Sequence, residues 1–194
     1  MRFPLFAAVL ALVAGPVLAQ DKKDAKGDPD LLYKKESGVS IQKPAKNDEW
    51  EFKDNGFWAN SQLCVSHKVD RVFIEVLYQE KATGVASYDP KAAAEGEWKN
   101  ISGSANFKDC KKVQEIKAAK LPNGGANNPM SYLLDMTFKD KTDKGLEMKM
   151  WCFVGKENQN FYKVSLVCDE GMYKKHQKNI DLMLGSIRLY KIPK

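Results

Sequence analysis

Only two histidines, His67 and His176, occur in 194 residues, which leaves few places for imidazole-based acid–base or nucleophilic chemistry. No Gly-x-Ser-x-Gly elbow is present; Ser104 sits in Gly103-Ser104-Ala105-Asn106. No glycine-rich phosphate loop follows a strand, and the Gly124-Gly125 pair lies in a hairpin connection. Arginine is scarce beside lysine, and no basic stripe with interleaved aromatics appears, which argues against nucleic acid as a partner. The net charge of +6 instead reads as a lysine-rich solvated surface, with at most weak attraction to anionic surfaces. Long apolar runs are lacking too. The one at the N-terminus, Leu5 to Val13, falls short of the ~20 residues that a bilayer span requires.

That run has the form of a secretory signal peptide. Arg2 supplies the positive end, Gly15 and Pro16 break the apolar stretch, and Val17-Leu18-Ala19 is a suitable cleavage site. Residues 1–19 are therefore set aside, with no transmembrane span expected after cleavage and a periplasmic or extracellular location. Residues 20–30, rich in Lys, Asp, Gly and Pro, read as a disordered leader. Residues 31–194 suit a single domain large enough to bury a core of its own.

Within that domain, short strands are expected at Gly38–Ile41 and Trp50–Phe52, the second ending at Asp54-Asn55-Gly56. Leu63–His67 and Val72–Tyr78 form an antiparallel hairpin, since only four residues separate them. Asp89-Pro90 starts a helix with Ala94, Trp98 and Ile101 on one stripe and Gly103 at its close. Lys111–Leu121, Met130–Lys139 and a hairpin within Gly145–Cys168 continue as an antiparallel meander, with Pro122–Pro129 as a loop. A final helix carries Tyr173, His176, Ile180, Met183 and Leu184 on its apolar face, with Asp169 as N-cap and Gly185 at its end. The expected fold class is α+β, a central antiparallel sheet of about six strands flanked by helices.

Four cysteines, Cys64, Cys110, Cys152 and Cys168, in an exported chain suggest two disulfides. A hairpin loop centred near Asn158 sets Cys152 opposite Val164 and Cys168 opposite Met148, too far apart for a direct bridge. Each is then expected to pair with Cys64 or Cys110. The same register places Met148, Met150, Cys152, Val154, Val164 and Leu166 on a face that meets the last helix. Lys149, Trp151, Phe153, Phe161, Lys163 and Ser165 fall on the other face. Lys149, Trp151, Phe153, Phe161 and Lys163 form a candidate binding surface if the Asp89 helix leaves them uncovered.

Cys64-Val65-Ser66-His67 does not make half a metal site, because residues three apart on a strand point to opposite faces and no second Cys/His pair lies nearby. It reads as a half-cystine with an incidental histidine, and His176 as a packed histidine. No catalytic residue, metal ligand or cofactor is assigned.

Two stretches give the chain a familiar outline. Gly38-Val39-Ser40-Ile41, Pro44 and Trp50 open it, and Phe161-Tyr162-Lys163-Val164, the Tyr173 helix and Gly185-Ser186-Ile187-Arg188-Leu189 close it. This order of elements, from Tyr33 to Tyr190, resembles PsbP-like proteins. The resemblance implies a sheet sandwiched by helices and a non-catalytic, extracytoplasmic binding or assembly role, with a protein or small ligand of the envelope as partner. An exported enzyme with a site scattered through the sequence is the alternative, and a secreted effector or inhibitor acting through the Pro122–Pro129 loop is a third reading.

Overall fold

A computed structural model describes residues 31–34, 38–44, 48–53, 61–79, 89–121, 131–141, 147–157 and 160–190. The expected signal peptide and leader, the turn expected at Asp54-Asn55-Gly56 and the loop expected over Pro122–Pro129 lie outside these residues.

The fold is α+β, with a larger sheet than the sequence suggests. Among the described residues, β3 (Trp50–Lys53), β4 (Leu63–His67), β5 (Val72–Gln79), β10 (Asn160–Asp169), β9 (Glu147–Glu157), β8 (Ser131–Asp140) and β6 (Phe107–Lys112) run antiparallel in that order. β7 (Lys117–Ala119) also pairs with β8, which makes eight strands. A separate sheet of three joins β1 (Leu31–Lys34), β2 (Val39–Gln42) and β11 (Arg188–Leu189). The expected single strand over Lys111–Leu121 is thus two. Asp109 takes a positive φ of 54° and the β6–β8 register shifts between Lys108 and Lys111, so the edge breaks before β7 re-forms it.

Helix α1 (Pro90–Ser102) begins as its sequence dictates. Asp89 accepts a hydrogen bond from the Lys91 N–H at 2.9 Å, Pro90 occupies the first turn, and Gly103 caps the end. It lies on β8, β9 and β6, burying Ala94 and Ile101. Helix α2 (Met172–Ser186) departs from expectation at both ends. Asp169 is the last residue of β10, with its N–H bonded to the Arg71 carbonyl and its carboxylate 3.7 Å from the Arg71 Nε. Gly171, at φ 87°, turns the chain into the helix instead. Gly185 falls inside the last turn, and Ile187 follows the helix.

The β9–β10 register corrects the sequence reading by one residue. Cys152 lies opposite Ser165 and Cys168 opposite Lys149, because two residues link Glu157 to Asn160 and the loop centre falls between them. With a side-chain period of two, that slip exchanges the faces of one strand against the other. Met148, Met150, Cys152, Val154 and Val167 pack under α1, together with Leu134, Met136 and Phe138. Phe153, Val164, Leu166 and Cys168 pack on the opposite side with Ile180, Met183 and Leu184 of α2 and Val39, Ile41 and Leu189 of the small sheet. The molecule is therefore three layers: α1, the large sheet, then α2 with the small sheet.

The expected disulfides are not formed: all four cysteines are free thiols. Cys152 and Cys168 face opposite layers. Strand alternation sets Cys64 in the row Cys64–Glu75–Ser165–Cys152, with two whole strands between it and Cys152. Three strand spacings come to roughly 14 Å, far outside disulfide reach. Cys110, on the bulged edge, directs its sulfur toward the Ile101 carbonyl at 4.0 Å.

Candidate functional site

Folding brings together two residues that are 109 positions apart in the sequence, His67 and His176, each only 7% exposed. His67 is the last residue of β4 and points to the α2 side with Leu63 and Val65, as strand alternation requires. His176 lies one turn into α2 on its buried face, with Ile180 and Met183. Their ring centroids are 4.4 Å apart. Trp50, paired with His67 across β3 and β4, stands edge-on to both rings, at 5.1 and 5.5 Å. The sequence reading of His176 as buried on the helix stripe agrees with this position; the pairing with His67 is what it misses.

His67 is not incidental. Its Nδ1 accepts hydrogen bonds from the backbone N–H of Val69 (3.3 Å) and of Asp70 (2.9 Å), bracing the β4–β5 turn. An acceptor at Nδ1 places the ring proton on Nε2, which faces the Glu49 carboxylate at 3.2 Å. Asp70, in that turn, accepts through one oxygen from Lys175 Nζ and from His176 Nε2, both at 2.6 Å. Lys175, and after it His176, hold the Asp70 carboxyl down to about 2, so it is ionised at neutral pH. The same oxygen lies 4.0 Å from His67 Nδ1. Asp70 thereby ties α2 to the turn that His67 braces.

The proposed surface residues divide between the two faces. Phe153 is buried beneath the α2 layer, with an exposure of 6%. Trp151 is half-buried on the same side, its ring 4.8 Å from Tyr173 and 4.5 Å from the Lys149 ammonium. Phe161 and Lys163 belong to the α1 side; Phe161 packs on that core and Lys163 donates to Glu97 of α1 at 2.9 Å. The helix over Trp151 and Phe153 is α2 rather than the Asp89 helix, a consequence of the register slip. Lys149, Trp151 and Tyr173 remain as a half-exposed cationic and aromatic shelf beside the start of α2.

The thiols are held in their protonated form. Burial pushes Cys64 and Cys152 up to about 12 and Cys168 up to about 11, and Glu75, Glu97 and Asp169 respectively add to the rise. Cys110, half-buried, is raised by the same cause. A thiol so placed is a poor nucleophile.

No protein-family model and no curated protein matches this sequence. Solved structures match it in fold. The solution structure of cyanobacterial PsbP from Synechocystis sp. PCC 6803 superposes with a TM-score of 0.56 at 12% identity, over 86% of this chain and 96% of that one. A crystal structure from Bacteroides thetaiotaomicron gives 0.50 at 10% identity, over 84% of this chain and 48% of that one. LpqN of Mycobacterium tuberculosis, described as involved in cell envelope biogenesis, gives 0.49 at 12% identity, over 86% and 88%. At such identities the likeness is one of fold. The architecture is PsbP-like, and no described helix is long and apolar enough to cross a membrane.

Proposed function

We propose, from a PsbP-like fold whose reactive side chains are committed to packing, that this chain is an exported, non-catalytic binding or assembly module of the cell envelope. The observation that carries the reading is the state of its chemistry-bearing groups. Three thiols are buried and protonated. One histidine braces a turn with the lone pair that a general base would use. The other is hydrogen-bonded to a carboxylate that also clamps a helix. The N-terminal signal-like segment supports export, with a cut after Ala19 and a mature chain that starts at Gln20.

The Lys149–Trp151–Tyr173 shelf is the surface we assign to the partner, a protein or small ligand of the envelope. A tryptophan held between an ammonium and a second ring presents apolar area with a cation beside it, the composition that interface anchors favour. Affinity capture from the native envelope or culture fluid, with the mature chain as bait, tests this. A partner retained by the wild type and lost with Trp151→Ala, while circular dichroism stays unchanged, is the expected result. Capture of nothing, together with turnover of any substrate, overturns it. Intact mass of the secreted form checks the Gln20 start.

A further inference from the structure

The geometry points to a transition-metal site at His67, Asp70 and His176, one that takes a borderline divalent ion such as Zn²⁺ and clamps α2 to the β4–β5 turn. One donor atom from each of these residues lies within 4.8 Å of the other two. Two come from the strand end and its turn, and the third from the helix that crosses above them. Two imidazoles and one carboxylate form a donor set that suits zinc, copper or nickel, and disfavours magnesium and calcium, which take oxygen.

The state of each donor supports this. His67 already has the proton arrangement of a ligating histidine. Its Nδ1 carries no proton and lies on the Asp70 side, while Nε2–H meets the Glu49 carboxylate at 3.2 Å. A carboxylate behind the far ring nitrogen is the usual support of a metal-bound histidine, fixing its tautomer and raising its basicity. The present partners of Nδ1 are two turn N–H groups, at 3.3 and 2.9 Å. Val69, at the tip of that turn, is 84% exposed, so water can take over where the metal displaces its amide. Asp70 and His176 share a contact of 2.6 Å, shorter than the donor separation in a tetrahedral site, and they need only part slightly to admit an ion.

Lys175 completes the case. Its ammonium, with a side chain 58% exposed, sits 2.6 Å from the Asp70 oxygen that a metal would use. In the metal-free chain the ammonium thus holds the Asp70 oxygen that the ion needs, and metal binding releases it to solvent. Bonding the metal takes the His176 Nε2 lone pair, so the ring proton of that residue is carried on Nδ1 instead, while the His67 tautomer is unchanged. With three protein ligands, a water fills the remaining position.

The test is titration of the mature chain, stripped of metal, with Zn²⁺ and in parallel with Co²⁺, whose visible d–d absorption reports nitrogen and oxygen ligation. The wild type is expected to take up one equivalent, with a rise in Tm that Mg²⁺ and Ca²⁺ do not produce. His176→Gln should abolish that uptake. Glu49→Gln changes a side chain that is 68% exposed, and should weaken binding ~10–100-fold through His67. Lys175→Ala should tighten it by removing the competing cation, an effect that adventitious binding to surface groups would not show. If His176→Gln fails to fold, the Glu49 and Lys175 variants and the cobalt spectrum still decide. No uptake by the wild type, or uptake indifferent to all three substitutions, overturns the proposal.

Discussion

A Cβ built at Gly155 would overlap the phenol ring of Tyr162, which lies directly opposite on β10 and is fully buried. The missing side chain at 155 is what lets that ring lie flat across β9. Gly155→Ala forces the ring or the strand to shift inside a packed core, and should cost about 1–3 kcal/mol in urea denaturation with an unchanged m-value. A loss well below that range would mean that Tyr162 can swing aside. The thiols give a second prediction at this scale. Cys110 should react with a thiol reagent in the native state, Cys64, Cys152 and Cys168 only on unfolding, and the denatured chain should yield four free thiols. Because their folded values are raised, the three buried thiols contribute stability that is fully present below the ordinary thiol value of about 8.5. It is lost as pH climbs from there through about 11 and 12, where the folded chain also ionises. Cys152→Ala should therefore flatten the alkaline limb of the stability curve. What sequence could not supply here is pairing. An even cysteine count in an exported chain argues for bridges, yet whether two sulfurs meet depends on which strands stand between them.

At the scale of elements, the helices and the β4–β5 and β9–β10 hairpins were legible because each carries a local signal. Asp89-Pro90 starts α1 and Gly103 ends it, and four residues between Leu63–His67 and Val72–Tyr78 leave no option but a tight antiparallel return. The β9–β10 register was not legible, for a reason visible in its composition. Met148, Met150 and Cys152 on one side and Trp151 and Phe153 on the other are all apolar, since both faces of β9 are covered. A strand buried on both sides carries no in-versus-out alternation to betray a slip of one residue. The histidine pair was hidden more deeply, because it needs the β3–β4 register, the turn at Asp70 and the placement of α2 together. The corrected faces can be checked by a mutant cycle. Met150→Ala and Ile180→Ala should each cost about 2–5 kcal/mol. Since the sheet lies between them, the double mutant should be additive within about 0.5 kcal/mol. Strong coupling would instead put Met150 beneath α2.

On the scale of the whole molecule, the PsbP-like outline came from the order of elements at the two ends of the chain, and those ends meet in space. Arg188 and Leu189 pair with Ser40 and Val39, the Tyr190 N–H donates to the Gly38 carbonyl at 2.7 Å, and the Gln42 N–H reaches the Ser186 hydroxyl 144 residues further on. The small sheet is thus a clasp between beginning and end, with α2 pressed beneath it on β2. A chain that leaves the ribosome or a membrane channel amino end first presents β2 early, with no lasting partner on that edge. Loop closure across so long a separation must come late. Until the final turn of α2 emerges, Val39 and Ile41 stay bare and the strand edge stays open. The last strand, only two residues long, is what closes the clasp: a chain cut short before it keeps every strand of the large sheet and lacks the partner of this edge of β2.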